Sequence, residues 1–398
     1  MPATVPPETP DALAFLKALV ACRSVTPADD GALAAVGDPL AAAGFTVVRR
    51  TFTEPGTPDI DNLFATIGSG APHLVFGGHT DVVPPGDESR WRHPPFAGAV
   101  EDGVFHGRGA VDMKGGIACF MAAALGHLRE RGLPKGTISL LITGDEEGPS
   151  INGTVKMLAF AREAGYRFDA AIVGEPTSQA KVGDMIKIGR RGSLSGTIRV
   201  IGRQGHSAYP HLADNPVPHL VRILHRLTTL RLDEGSPEFQ PSNLQVVSVD
   251  VGNPAFNVIP AEATARFNIR FNDQWSLESL VAFLKRELVV SSEGAHFELA
   301  FTQRGSEPFL TRSESLVTGI MEAIAAETGL TPELSTTGGT SDARFFKDAC
   351  PVIELGLLNR TIHQVDERVP LADLVTLTGI YRRFIDRFFA GADGHPHP

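Results

Sequence analysis

An α/β domain interrupted by a smaller α+β domain is the fold class that the sequence predicts, and three observations predict it. Short runs that are apolar at successive positions alternate with helical stretches over 1–188 and again near the C-terminus, as expected of strands buried on both faces of a sheet. Between roughly 189 and 301 apolar positions instead alternate with polar ones, as in strands with one wet face, and helices no longer follow strand by strand. At 398 residues the chain also exceeds what one hydrophobic core usually serves. The expectation is a larger domain over 1–188 and 302–398, split by an insertion over 189–301.

Each element has its own signal. After a proline-rich start, the pattern opening Asp11-Ala-Leu-Ala-Phe-Leu predicts a helix with Asp11 at its N-cap. A second helix is expected over 31–43, kinked or restarted at Pro39 and stopped at Gly44. Strand-type runs follow at 45–49, 63–67, 73–76, 138–143, 170–173 and 352–355, with helices over 116–131 and 154–164. In the insertion, 192–202, 243–250 and 263–271 read as half-exposed strands, and 217–229 and 277–288 as helices. The tail 391–398 carries His395 and His397, which read as solvated rather than metal-binding.

Composition narrows the class of function. A net charge of −10 leaves no basic excess to neutralise phosphates, which argues against a nucleic-acid partner. No apolar run approaches the length of a membrane span, and residues 1–10 lack the pattern of a secretory signal. Cys22, Cys119 and Cys350 are scattered and form no CxxC pair, so reduced thiols in a cytoplasmic protein are expected. Neither GxxxxGK[ST] nor a GxGxxG after a strand is present, which sets aside a nucleotide-binding reading.

Five places put a metal-competent side chain after an apolar strand or beside a glycine turn. His79 follows His73-Leu-Val-Phe-Gly-Gly, Glu146 and Glu147 follow 137–145, Glu175 follows 170–174, His363 lies beyond 352–356, and Asp112 sits in a glycine-rich loop before a helix. Ligands of open α/β sheets gather at the carboxyl ends of strands, and a charge placed there is costly unless paired or metal-bound. Two imidazoles and three carboxylates suit two Zn²⁺ ions sharing one bridging carboxylate, with Co²⁺ able to substitute. Asp112, Glu147 and Glu175 leave such a pair one positive charge, which a bridging hydroxide neutralises. A further carboxylate must stay off the metals to move protons, and Glu146 is the candidate. Asp81 is expected to accept the second ring N–H of His79.

These residues carry a resemblance. Gly78-His79-Thr80-Asp81-Val82-Val83-Pro84, the run Gly107 to Gly115 around Asp112, Asp145-Glu146-Glu147-Gly148 and Val173-Gly174-Glu175-Pro176 resemble the di-zinc aminoacylase and carboxypeptidase clan, in its order and over nearly the whole chain. The resemblance implies a di-zinc exopeptidase-like catalytic domain with an inserted lid and dimerisation domain. It makes His79 and Glu175 ligands of one zinc, Glu147 and His363 ligands of the other, Asp112 the bridge and Glu146 the general base and then acid. It also implies a cis bond before Met113, a homodimer through the lid, and His206 reaching the partner's active site to stabilise the oxyanion.

Within the clan, the stretches around Arg190-Arg191, His206, Asn257, Arg270, Gly338 to Phe345 and Asn359 to Gln364 resemble the members that remove a succinyl group from N-succinyl-LL-2,6-diaminopimelate in lysine and diaminopimelate biosynthesis. A succinyl carboxylate calls for a guanidinium, which Arg190 or its neighbour Arg191, together with Arg270, can offer bidentately. Asn257, Gly339 and Thr340 add hydrogen-bond partners. A deacetylase of the same clan would want a small apolar acyl pocket in place of these arginines.

Overall fold

The computed structural model describes residues 11–302 and 305–390; the proline-rich start and the histidines of the tail lie outside them. The chain divides into two compact units, one formed by Met1–Ile188, Thr311–Ser335 and Ser341–Pro398, the other by Gly189–Leu310 and Thr336–Thr340. The run from 302 to Leu310 and the short stretch 336–340, which the sequence reading leaves with the larger domain, cluster with the smaller unit.

The larger unit is built on a mixed sheet. Its order among the described residues is Thr46–Phe52, Ile60–Gly68, Thr137–Thr143, His73–His79, Ala170–Val173, Val352–Glu354, Met185–Lys187, Glu333–Ser335. The first two strands pair antiparallel, and Ile60–Gly68 meets Thr137–Thr143 antiparallel. From Thr137–Thr143 through His73–His79 and Ala170–Val173 to Val352–Glu354 all pairing is parallel. Every residue of these four strands is buried, which is why the sequence shows continuous apolar runs rather than alternation. Each fully buried Leu, Ile, Val or Phe contributes about 1.5–3 kcal/mol.

Helices cover the sheet. Ala12–Ala21 starts where the Asp11 carboxylate accepts the Leu13 N–H at 2.9 Å. Ala32–Ala42 is continuous through Pro39, without the expected restart, because Ala43 N reaches Pro39 O and Leu40 O at 3.1 Å and closes the turn beyond the ring. Lys114–Arg131 is buried on all sides from Lys114 to Leu128, packed against Ala12–Ala21 and Leu371–Ala390. Its first residue is a buried lysine whose Nζ donates to Leu19 O and Cys22 O, both at 2.9 Å, tying the start of this helix to the end of the first. No described helix is long and apolar enough to cross a membrane.

The smaller unit has an antiparallel sheet in the order Asn243–Asp250, Glu262–Phe271, Gly192–Ile201, Phe297–Phe301. Burial alternates along Gly192–Ile201 and Glu262–Phe271, so one face meets the helices Pro216–Thr229 and Leu277–Ser292 through Ile198, Phe267, Ile269, Leu220, Ile223, Leu280 and Leu284. Asn215 caps the first helix by accepting the Val217 N–H at 3.1 Å, with Pro216 at the position that needs no donor. Ser276 and Ser279 cap the second reciprocally.

Candidate metal centre

Four parallel strands of the larger unit end on one edge, and their next residues carry the charge. His79 closes its strand, Glu146 and Glu147 lie three and four residues beyond Thr143, and Glu175 lies two beyond Val173. Two glycines let these pieces meet. A Cβ on Gly78 would stand 2.8 Å from Met113 Cε, and one on Gly116 would stand 2.4 Å from Gly174 O, so the loop of Asp112 and the turn of Glu175 reach the sheet only without those side chains. The Asp112–Met113 peptide bond is cis.

The six side chains converge. His79 Nε2 lies 3.3 Å from Asp112 Oδ1 and 3.8 Å from Glu175 Oε1. His363 Nε2 lies 3.2 Å from Asp112 Oδ2 and 2.7 Å from Glu147 Oε1. Asp112 therefore presents one oxygen to each imidazole. Ligand atoms of His79, Asp112 and Glu147, and again of His79, Glu146 and Glu175, fall within 4.8 Å of one another. Although 3.3 Å apart, His79 Nε2 and Asp112 Oδ1 are not aligned for a hydrogen bond and are both buried without one. Two such atoms facing a common space are what a cation would join, and the donor set of imidazole nitrogen and carboxylate oxygen suits zinc.

Electrostatics give the same picture for the metal-free chain. Burial pushes the carboxyls of Glu146 and Glu175 well above their usual range, with neighbouring carboxylates adding to the rise and His79 opposing it. Burial alone would lower His79, but Asp112 and Asp81 outweigh it and raise the imidazole well above its ordinary value. Contacts with Asp112 and then Glu147 raise His363 to about 10. Burial works to raise Asp112, yet the two imidazoles hold it low. Protons on these groups keep four carboxylates from repelling each other, the role that cations would take at the same place.

The supporting contacts correct one expectation. The second ring nitrogen of His79 lies 2.9 Å from the backbone oxygen of Asp81, and the Asp81 carboxylate is farther, at 3.5 Å. That carboxylate instead accepts the backbone N–H groups of Glu146 at 3.2 Å and Glu147 at 3.0 Å. The reason is local: a backbone carbonyl two residues on already satisfies the imidazole, and the sharp turn after Thr143 exposes two donors that need a buried acceptor. Asp81 therefore positions the paired glutamates as well as the histidine loop.

Sequence reasoning missed Glu367. Its buried carboxylate accepts the N–H groups of Gly109 at 2.9 Å, Val111 at 2.8 Å and Asp112 at 3.2 Å, and pairs with the buried Arg108 at 2.7 Å. It holds the Asp112 loop from 255 residues away, brought there by the pairing of Arg368–Pro370 with Val104–His106 and by Gly107 N, which donates to Glu367 O at 3.0 Å. Asp145 fixes the other side of the site, accepting Ile151 N at 2.8 Å and Asn152 N at 2.9 Å. Buried Asp342 accepts the Thr154 hydroxyl at 2.6 Å, and burial raises its pKa to about 6.

The residues expected to bind substrate all belong to the smaller unit. Arg190 pairs across strands with Phe309 and donates to Thr337 O at 3.3 Å. Arg191 is partly buried, which lowers its pKa, and its Nε has no hydrogen bond. Arg270 lies opposite Ser193 and Asn243. Asn257 accepts the Ser207 N–H through its backbone oxygen at 3.0 Å, while Gly339 and Thr340 fall in the stretch that returns to this unit. His206 is exposed, and its Nδ1 accepts the Ala208 N–H at 3.1 Å, which leaves Nε2 to carry the proton.

Comparison with known proteins places this arrangement. The family model described as peptidase family M20/M25/M40 matches residues 75–387. The chain is 57% identical over 387 residues to a succinyl-diaminopimelate desuccinylase of Methylobacterium nodulans, covering 97% of this chain and 98% of the other. It is 57% identical over 386 residues to the protein of the same name from Methylobacterium radiotolerans, covering 96% and 98%. Among solved structures, an M20 family metallo-carboxypeptidase from Sulfolobus solfataricus shares the fold with a TM-score of 0.76 at 18% identity, over 95% of this chain and 99% of that one. Human carnosine dipeptidase 1 does so with a TM-score of 0.73 at 18% identity, over 95% and 96%. By fold and by sequence over most of its length, the chain belongs to peptidase family M20/M25/M40.

Proposed function

We infer that the protein is a metal-dependent amide hydrolase that cleaves N-succinyl-LL-2,6-diaminopimelate to succinate and LL-2,6-diaminopimelate in lysine and diaminopimelate biosynthesis. The hydrolytic chemistry rests on the convergence of His79, Asp112, Glu146, Glu147, Glu175 and His363 at one sheet edge. The substrate rests on the two desuccinylases matched along nearly the whole chain.

In this reading His79 and Glu175 would hold one Zn²⁺, Glu147 and His363 would hold the other, and Asp112 would serve both. The division is supported by Asp112 presenting a different oxygen to each histidine. Two Zn²⁺ ions there, or Co²⁺ in their place, would supply a Lewis acid for the amide carbonyl and a water of lowered pKa. Glu146 takes the proton of the attacking water and delivers it to the nitrogen as the C–N bond breaks, a role suited to a carboxyl whose burial already favours holding a proton. Glu367, Asp145 and Asp81 keep the three ligand loops in register.

The smaller unit serves as lid and dimer contact. Its outer strand Asn243–Asp250 leaves Val247 65% and Val249 55% exposed, an apolar edge suited to a second copy. The partner subunit's His206 then donates from Nε2 to the developing oxyanion. Arg190 and Arg270 grip the succinyl carboxylate, with Asn257, Gly339 and Thr340 completing the contacts. The free thiols Cys22, Cys119 and Cys350 fit a reducing cytoplasm.

The test is hydrolysis by zinc-loaded protein of N-succinyl-LL-diaminopimelate beside N-acetylornithine, with Glu146→Ala as control. Selective, Glu146-dependent loss of the succinyl amide is expected. Cleavage of the acetyl substrate alone would keep the chemistry and overturn the substrate, and cleavage of neither would overturn both.

A further inference from the structure

We propose that His93, Glu101 and His106 form a separate binding site for a first-row divalent cation such as Zn²⁺, outside the catalytic centre. A ring nitrogen of each histidine and a carboxylate oxygen of Glu101 lie within 4.8 Å of one another. His93 Nε2 stands 3.2 Å from Glu101 Oε2, the separation of two ligands on adjacent corners of one ion, and the imidazole rings of His93 and His106 are 4.9 Å apart.

The hairpin builds the site. Strands Ala99–Glu101 and Val104–His106 pair antiparallel with Glu101 opposite Val104 and Ala99 opposite His106. Side chains two apart on a strand share a face, so Glu101 and His106 stand diagonally on one side, and His93 comes over them from the preceding loop. The turn is made by Asp102 and Gly103, both at positive φ, which fixes that register.

A second, independent observation points to a ligand. His106 is 92% buried, and its Nδ1 is buried with no hydrogen-bond partner. An orphaned imidazole nitrogen is rare in a folded core, and beside another imidazole and a carboxylate its natural complement is a metal. Burial, then His93, Arg368 and Arg92, lower the pKa of His106.

The surroundings also set the selectivity. Arg92 Nη2 lies 2.7 Å from Glu101 Oε2 and must yield that oxygen when an ion enters, and Arg368 sits across the strand from His106. Two nearby guanidiniums disfavour Ca²⁺ and Mg²⁺, which depend on oxygen and charge, and leave ions that bind imidazole strongly. Arg92 is 62% exposed and can swing into water, so its displacement costs little.

The experiment is zinc content by mass spectrometry, on protein equilibrated at free Zn²⁺ just above the level that saturates its catalytic activity. The comparison is wild type against a His93→Gln, Glu101→Gln double variant, which spares the buried His106. The proposal expects one zinc ion per chain fewer in the variant, with kcat unchanged. Equal zinc contents would overturn it. So would loss of activity together with the ion, since these residues would then belong to the support of the catalytic loop. The difference reads independently of the catalytic ligand assignment, because both proteins carry that centre intact.

Discussion

The two units solve the placement of charge in opposite ways. In the larger one, acids and histidines stand at the ends of strands whose every residue is buried, where an unpaired charge would cost several kcal/mol. In the smaller one, half-buried Arg270 stands on a strand with a wet face, where a guanidinium costs little whatever it does, while Arg190 is buried on Gly189–Arg190 and donates to Thr337 O. A charge at the end of a buried strand demands an explanation and so advertises function. A charge on a half-exposed strand does not, and its role has to be drawn from relatives and tested on substrate.

The sharpest way to break this contrast is Glu146→Ala. If the buried acid moves the proton, kcat falls roughly 10²–10⁴-fold while metal content stays that of wild type, by parallel rate and metal measurements. A fall in metal content would make Glu146 a ligand instead. Next in size is Glu367→Ala, which strips a buried partner from Arg108 and from three backbone donors of the Asp112 loop. Stability should drop by about 3–5 kcal/mol in urea unfolding. An unchanged midpoint would remove Glu367 from the scaffold of the site.

On the other side of the contrast, Arg190→Lys and Arg270→Lys should each raise KM for the succinyl substrate about tenfold or more. The unfolding free energy of Arg270→Lys should stay within roughly 0.5 kcal/mol of wild type, whereas Arg190→Lys, at a buried side chain that donates to Thr337 O, should also lower stability by about 1 kcal/mol. Equal losses on an acetyl substrate would place them elsewhere than at the succinyl carboxylate.

Protonation competes with metal at the centre. In the metal-free chain His363 is raised from 6.5 to about 10, so its contribution to stability is fully present below pH 6.5 and is lost as pH rises through 10. Metal must displace that proton. Calorimetric titration of zinc in buffers of different ionisation enthalpy should therefore show proton release near neutral pH, and affinity should weaken as pH falls. The smallest effect is Asn215→Ala at a helix cap of the smaller unit, worth about 1 kcal/mol by thermal unfolding and without consequence for metal binding.

Much of this was legible in the chain itself, for reasons the residues make plain. The strands Ala170–Val173 and Asn243–Asp250 carry the expected bounds, because run length and period are local properties. The helix caps at Asp11 and the stop at Gly44 are local as well. Glu367 was hidden because its partners lie in another part of the sequence, joined only by a three-stranded pairing of short segments that carry no periodicity. Asp81 is legible as a support of His79, but the two backbone donors its carboxylate accepts are not: sequence spacing gives neighbours along the chain and says nothing of which nearby backbone donors a turn will leave open. Helices Glu314–Thr328 and Leu371–Ala390 complete the cover of the larger sheet although the functional motifs never pass through them.

The most direct test of the central claim is a crystal of zinc-loaded protein measured on both sides of the zinc absorption edge. The account predicts two anomalous peaks, one among His79, Glu175 and Asp112 and one among Glu147, His363 and Asp112, with the Glu146 carboxylate bound to neither. A single peak, or a peak ligated by Glu146 with Asp112 bound to one ion alone, would contradict it.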